Sequence, residues 1–139
     1  MKKVLLLTAV LILLLGTTSC KKLLGLDAES LLTKNPWKGQ KISEHIDGNF
    51  HTTVSIDYLT LDLEKDTHHY IFSSHGTVER EGRWSYDEDT EILTLDSDDG
   101  TMHEVFHILE LDKHHLKFEF DFSAPNGHLY HYEVYYTHE

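Results

Sequence analysis

The sequence predicts an all-β domain, an eight-stranded antiparallel up-and-down barrel, behind a short apolar leader. Three observations carry this expectation. After Pro36 the apolar residues recur with period two, most plainly where Leu116, Phe118, Phe120 and Phe122 alternate with Lys117, Glu119 and Asp121. Turn-forming residues punctuate that pattern at short intervals, as in Asp47-Gly48-Asn49, His75-Gly76, Asp98-Asp99-Gly100 and Pro125-Asn126-Gly127. No stretch beyond the leader carries the periodicity of a long interior helix.

The elements follow in chain order. Met1-Lys2-Lys3 is positive, Val4 to Leu15 is apolar apart from Thr8, and Gly16-Thr17-Thr18-Ser19 places small residues before Cys20. A bilayer span takes roughly 20 apolar residues, so this run is too short to cross and has the layout of an export signal. The segment resembles a lipoprotein signal with its lipobox. That resemblance implies removal of residues 1–19 and lipidation of Cys20 as the new first residue. Several acyl chains, each buried methylene contributing about 0.8 kcal/mol, then hold the chain on a membrane. Lys21, in place of an aspartate, implies passage to the outer membrane, and a periplasm-facing position is expected. Cys20 is the one cysteine of the chain, so no intrachain disulfide is available.

Residues 20–35 are expected to form a tether. Asp27 is placed to N-cap a brief helix through Leu31 and Leu32 that Asn35-Pro36 would end. Such a helix is expected to plug one end of a β domain, because the leucines of this segment would otherwise sit exposed near the lipid; the alternative is a plain linker. The domain proper is expected over residues 36–139. Its strands are Trp37–Ile46, Tyr58–Glu64, His69–Ser74, Glu81–Tyr86, Glu91–Asp96, Met102–Leu111, Leu116–Phe122 and Leu129–Thr137. Apart from the first, Asp47–Asp57, most connections are short, so sequence neighbours are expected to pair antiparallel. Closing the meander into a barrel buries one face of every strand and removes free edges. The alternative is an open sandwich of two sheets.

From Trp37 onward the chain resembles the lipocalin-like domains of bacterial lipoproteins. The resemblance is carried by Trp37, Gly82-Arg83-Trp84-Ser85-Tyr86, Ile92-Leu93-Thr94-Leu95, and Phe106 to Leu111 followed by Leu116-Lys117-Phe118. It implies a barrel and a small apolar or amphipathic ligand, and it implies no cofactor. Aromatic side chains are the expected lining, with Trp84, Tyr86, Phe118 and Phe120 as candidate contacts. The alternatives are a filled barrel serving as a structural or interaction lipoprotein, and a histidine-rich binder of divalent metal.

Composition and motifs narrow the function classes. The chain carries a net charge of −12, and loss of Lys2 and Lys3 with the leader makes it −14, which repels nucleic acid. His103-Glu104-Val105-Phe106-His107 matches the H-E-x-x-H string of zinc proteases, whose chemistry needs a helix. On a strand the two histidines share a face but sit about 13 Å apart, and Glu104 points to the other face. No nucleophile–base arrangement or phosphate-binding glycine loop is present, so nothing argues for an enzyme. Twelve histidines remain to be placed. In an up-and-down barrel alternate turns share an end, which puts His51, His75, His103 and His128 at one rim as candidate metal ligands.

Overall fold

The computed structural model describes residues 27–138. The leader, Cys20 and most of the tether lie outside the described residues, so the lipidation expectation is not addressed by it. A short helix, α1 (Ala28–Leu32), precedes nine strands: β1 (Trp37–Ile46), β2 (Asn49–Ser55), β3 (Leu59–Leu63), β4 (His69–Ser74), β5 (Thr77–Asp87), β6 (Ile92–Ser97), β7 (His103–Leu111), β8 (His115–Ser123) and β9 (Leu129–Thr137).

Alternation of apolar and polar residues makes each strand two-faced, and closure buries the apolar face. The antiparallel ladder runs from β3 to β9 in sequence order, and β9 pairs with β1 to complete the ring. Ile42 lies opposite Val134, and Trp37 opposite Leu61. Eight strands, β1 and β3 to β9, therefore form a closed barrel.

The ninth strand corrects the expected long connection from Asp47 to Asp57. Asp47 (φ 50°) and Gly48 (φ 81°) make a two-residue hairpin turn of the kind that needs positive φ at both positions. It folds β2 back on β1, with Ile46 opposite Asn49 and Ile42 opposite Val54. Strand β1 thus has β9 along one edge, while its other edge passes from β3 at Trp37–Lys38 to β2 beyond Lys41. Gly39 marks the handover. A β-carbon there would sit 2.3 Å from the Ile56 carbonyl oxygen, so only glycine lets the chain leaving β2 cross so close to β1. Six of the seven β2 residues are exposed, which removes the apolar alternation by which a strand is recognised.

Helix α1 plugs one end, as the tether residues lead one to expect. The Asp27 carboxylate accepts from the Ser30 amide and caps it, and Leu31 and Leu32 turn into the barrel. Trp37 is fully buried beneath it and donates its indole N–H to the Leu32 carbonyl at 2.9 Å. Lys65 reaches Ser30 at 3.0 Å from the β3–β4 connection, which fixes the end being closed. Gly82, on β5, brings that strand tight against β6: its β-carbon would lie 1.9 Å from the Asp96 carbonyl oxygen.

Candidate ligand cavity

Inside the ring the side chains leave a cavity of about 170 Å³. Its walls are mostly apolar. Ile42 and Ile56 come from β1 and the chain after β2, Leu61 from β3, Phe72 from β4, Phe106 from β7, and Phe118 and Phe120 from β8. The Phe106 ring meets Phe118 at 4.6 Å and Phe120 at 5.4 Å between centroids, the latter edge-on, and Phe118 stacks on Tyr136 at 5.7 Å. This set forms one continuous aromatic wall.

Polar groups interrupt it. Arg80 on β5 reaches across β6 to Glu104 on β7, with Nη1 2.7 Å from the carboxylate oxygen, and each side chain is 29% exposed. The guanidinium also lies over the Phe72 ring, 5.7 Å from its centroid. The buried Tyr70 hydroxyl has no hydrogen-bond partner among the described residues. Burial raises the Tyr70 phenol above its usual range, with Arg80 opposing the shift and Glu104 adding to it. Burial, with Glu104 nearby, pushes Tyr136 higher still. Both tyrosines are therefore neutral hydroxyls across the ordinary pH range, able to donate to a ligand.

The structure divides the four aromatic candidates. Phe118 and Phe120 line this cavity. Trp84 and Tyr86 do not: they border a separate cleft of about 320 Å³ at the plugged end, beside Asp27, Glu29 and His68. Trp84 is held there because its indole donates to the Glu64 carbonyl at 3.0 Å and its ring packs on His68 at 4.8 Å. The polar cluster of Tyr70, Arg80 and Glu104 is not among the candidates read from the sequence. The signal for Glu104 was present, since alternation sets it on the face opposite His103 and His107. Arg80 was hidden because the expected strand began at Glu81, whereas β5 starts at Thr77.

The metal rim is corrected as well, because the four histidines do not converge. His51 lies 3.9 Å from Glu44, His75 stacks on Tyr58 at 4.6 Å, His103 pairs with Asp96, and His128 bonds Asp47 at 2.7 Å. Among the described residues, none of the four belongs to a group of three side chains placed to share a metal ion. Each imidazole has its own neighbour instead, a carboxylate for His51, His103 and His128 and the Tyr58 ring for His75. The H-E-x-x-H string is strand β7, and His107 bonds Glu119 at 2.9 Å, away from His103.

The structure is thus a closed barrel with an aromatic cavity and an internal polar cluster. The model of the lipocalin-like domain family matches residues 32–118, and the chain belongs to that family. Among solved structures, a deswapped triple mutant of a bovine odorant binding protein is similar, with TM-score 0.44 and 16% identity over 79% of this chain and 75% of that one. No curated protein matches the sequence.

Proposed function

We propose that this protein is a lipid-anchored envelope binding module whose barrel holds a small, neutral, amphipathic molecule. The observation that carries the reading is the unpartnered Tyr70 hydroxyl at an apolar cavity whose one guanidinium is already neutralised. A buried polar group without a partner costs about 1–3 kcal/mol, a cost that a ligand hydroxyl or carbonyl relieves. A void of about 170 Å³ suits a single-ring compound, since an engineered apolar cavity of about 150 Å³ takes up benzene. Packing alone gains little from the Arg80–Glu104 pair, because apolar residues of similar volume often serve a core as well or better.

p-Cresol is the test compound. Saturable binding is expected by NMR titration, with shifts concentrated at Phe72, Phe106, Phe118 and Tyr70. Phe118→Trp, which fills the cavity, is expected to abolish it. If neither p-cresol nor a panel of neutral single-ring and short-chain alcohols shows saturable binding at millimolar concentration, the filled-barrel reading replaces this one.

The anchor rests on the order of parts in residues 1–20. Cys20→Ser is expected to release the chain from the membrane fraction and to remove the acyl mass from the mature N-terminal peptide. Membrane recovery and peptide mass unchanged by Cys20→Ser would exclude the anchor. Lys21 supports an outer-membrane position, which density fractionation of envelopes checks directly.

A further inference from the structure

The outer wall of β7, β8 and β9 carries a set of imidazoles and carboxylates that the cavity does not use. Phe106, Phe118, Phe120, Val134 and Tyr136 face inward, so by alternation His107, Glu119, Asp121, His131 and Glu133 face outward. Glu119 lies directly opposite Glu133 in the β8–β9 ladder, and Asp121 opposite His131. Like charges directly opposed across strands are destabilising, so this pair favours a positive charge beside it.

We propose that Glu119, His131 and Glu133 form a divalent transition-metal site, with zinc the best match. One ligand atom from each lies within 4.8 Å of the other two, and all three residues are partly buried. The surroundings are those of a metal centre. His131 Nδ1 lies 2.8 Å from Asp121 and Nε2 3.4 Å from the Glu119 carboxylate, so a proton held on Nδ1 by Asp121 would leave Nε2 to bind the metal. Glu119 is held in turn by His107 at 2.9 Å, and Glu133 accepts from the Tyr135 hydroxyl at 2.8 Å. Every proposed ligand thus has its own outer hydrogen-bond partner, the support that metal-binding histidines and carboxylates commonly have.

The donor set selects the metal class. Calcium takes six to eight oxygens and magnesium an octahedral shell, whereas one imidazole with two carboxylates and an open fourth position suits zinc. Without metal, the Lys117 ammonium at 3.1 Å from Glu133 supplies part of the compensating charge. Zinc would displace it and tie β8 to β9. The site is separate from the cavity and does not depend on the ligand reading.

The test uses the full chain in detergent, without a histidine tag, stripped of metal and titrated with zinc chloride by calorimetry. One equivalent is expected to bind, and cobalt in its place is expected to give the intense visible bands of a four- or five-coordinate centre. Glu119→Gln combined with His131→Ala is expected to weaken zinc at least tenfold, and Asp121→Asn alone by about 10-fold or more through loss of the tautomer. His115→Ala, which alters the exposed cluster of Glu110, Asp112 and His115, is expected to leave binding unchanged. Circular dichroism of each variant confirms the barrel. Less than a tenth of an equivalent bound, or equal affinity in a folded Glu119→Gln/His131→Ala variant, would overturn the assignment.

Discussion

Trp37→Ala is expected to lower the unfolding free energy by about 3–5 kcal/mol, the usual cost of deleting a large buried aromatic side chain. Domains of this kind have about 5–15 kcal/mol in total, so the variant loses much of its margin. Trp37 is the joint of the architecture. Its ring is fully buried, stacks on His138 at 3.6 Å, and stands where β1 meets β3 opposite Leu61. Its indole N–H holds the Leu32 carbonyl at the C-terminal end of α1. Deletion leaves a cavity, frees that carbonyl and unseats the plug together. Trp37→Phe keeps most of the apolar area and loses the hydrogen bond, so its cost is expected to stay near 1–2 kcal/mol. Denaturant midpoints of the two variants measure the difference. A Trp37→Ala variant within about 1 kcal/mol of the parent would show that the plug does not depend on this residue.

Glu104→Gln is expected to reverse the ligand preference of the cavity. In the parent the Arg80 guanidinium is bonded by Glu104 at 2.7 Å, so a ligand carboxylate brings a second negative charge to a neutralised site. The neutral p-cresol is expected to bind more tightly than its anionic counterpart, 4-methylbenzoate. With an amide at position 104 the guanidinium loses its counter-ion, and a ligand carboxylate can supply it. A hydrogen bond to a charged group contributes about 1.5–3 kcal/mol, equivalent to a gain of about 10- to 150-fold for 4-methylbenzoate. The p-cresol affinity is expected to change much less. Competition calorimetry with the two compounds on parent and variant gives the answer. An unaltered ratio between them would mean that neither compound reaches Arg80, and with it the account of the polar cluster would fail.

These residues also show how far the sequence could be read. The eight barrel strands were legible because closure buries one face of each, and that burial is written as alternation, as in Leu116 to Asp121. The plug was legible in Asp27 and the two leucines after it. Strand β2 was not, because a strand lying mostly outside the ring has little to bury; only Asp47-Gly48 announced its turn. Of the aromatic lining, only Phe118 and Phe120 were legible. Trp84 and Tyr86 share their alternation but sit at the other end, and height along a barrel axis leaves no mark in a two-residue period. The histidines show the same limit. Their number is visible in the chain, but the pairing of His131 with Asp121, ten residues away, depends on the β8–β9 register.

The sequence by itself determined that the chain would close an antiparallel barrel behind a plug, because patterned burial and turn chemistry act locally and repeat along the chain. Only the tertiary structure decided where Arg80, Glu104 and Tyr70 meet and which carboxylates face His131. Those contacts are set by register and stagger between strands, which ladder hydrogen bonds and side-chain packing fix after the strands have formed.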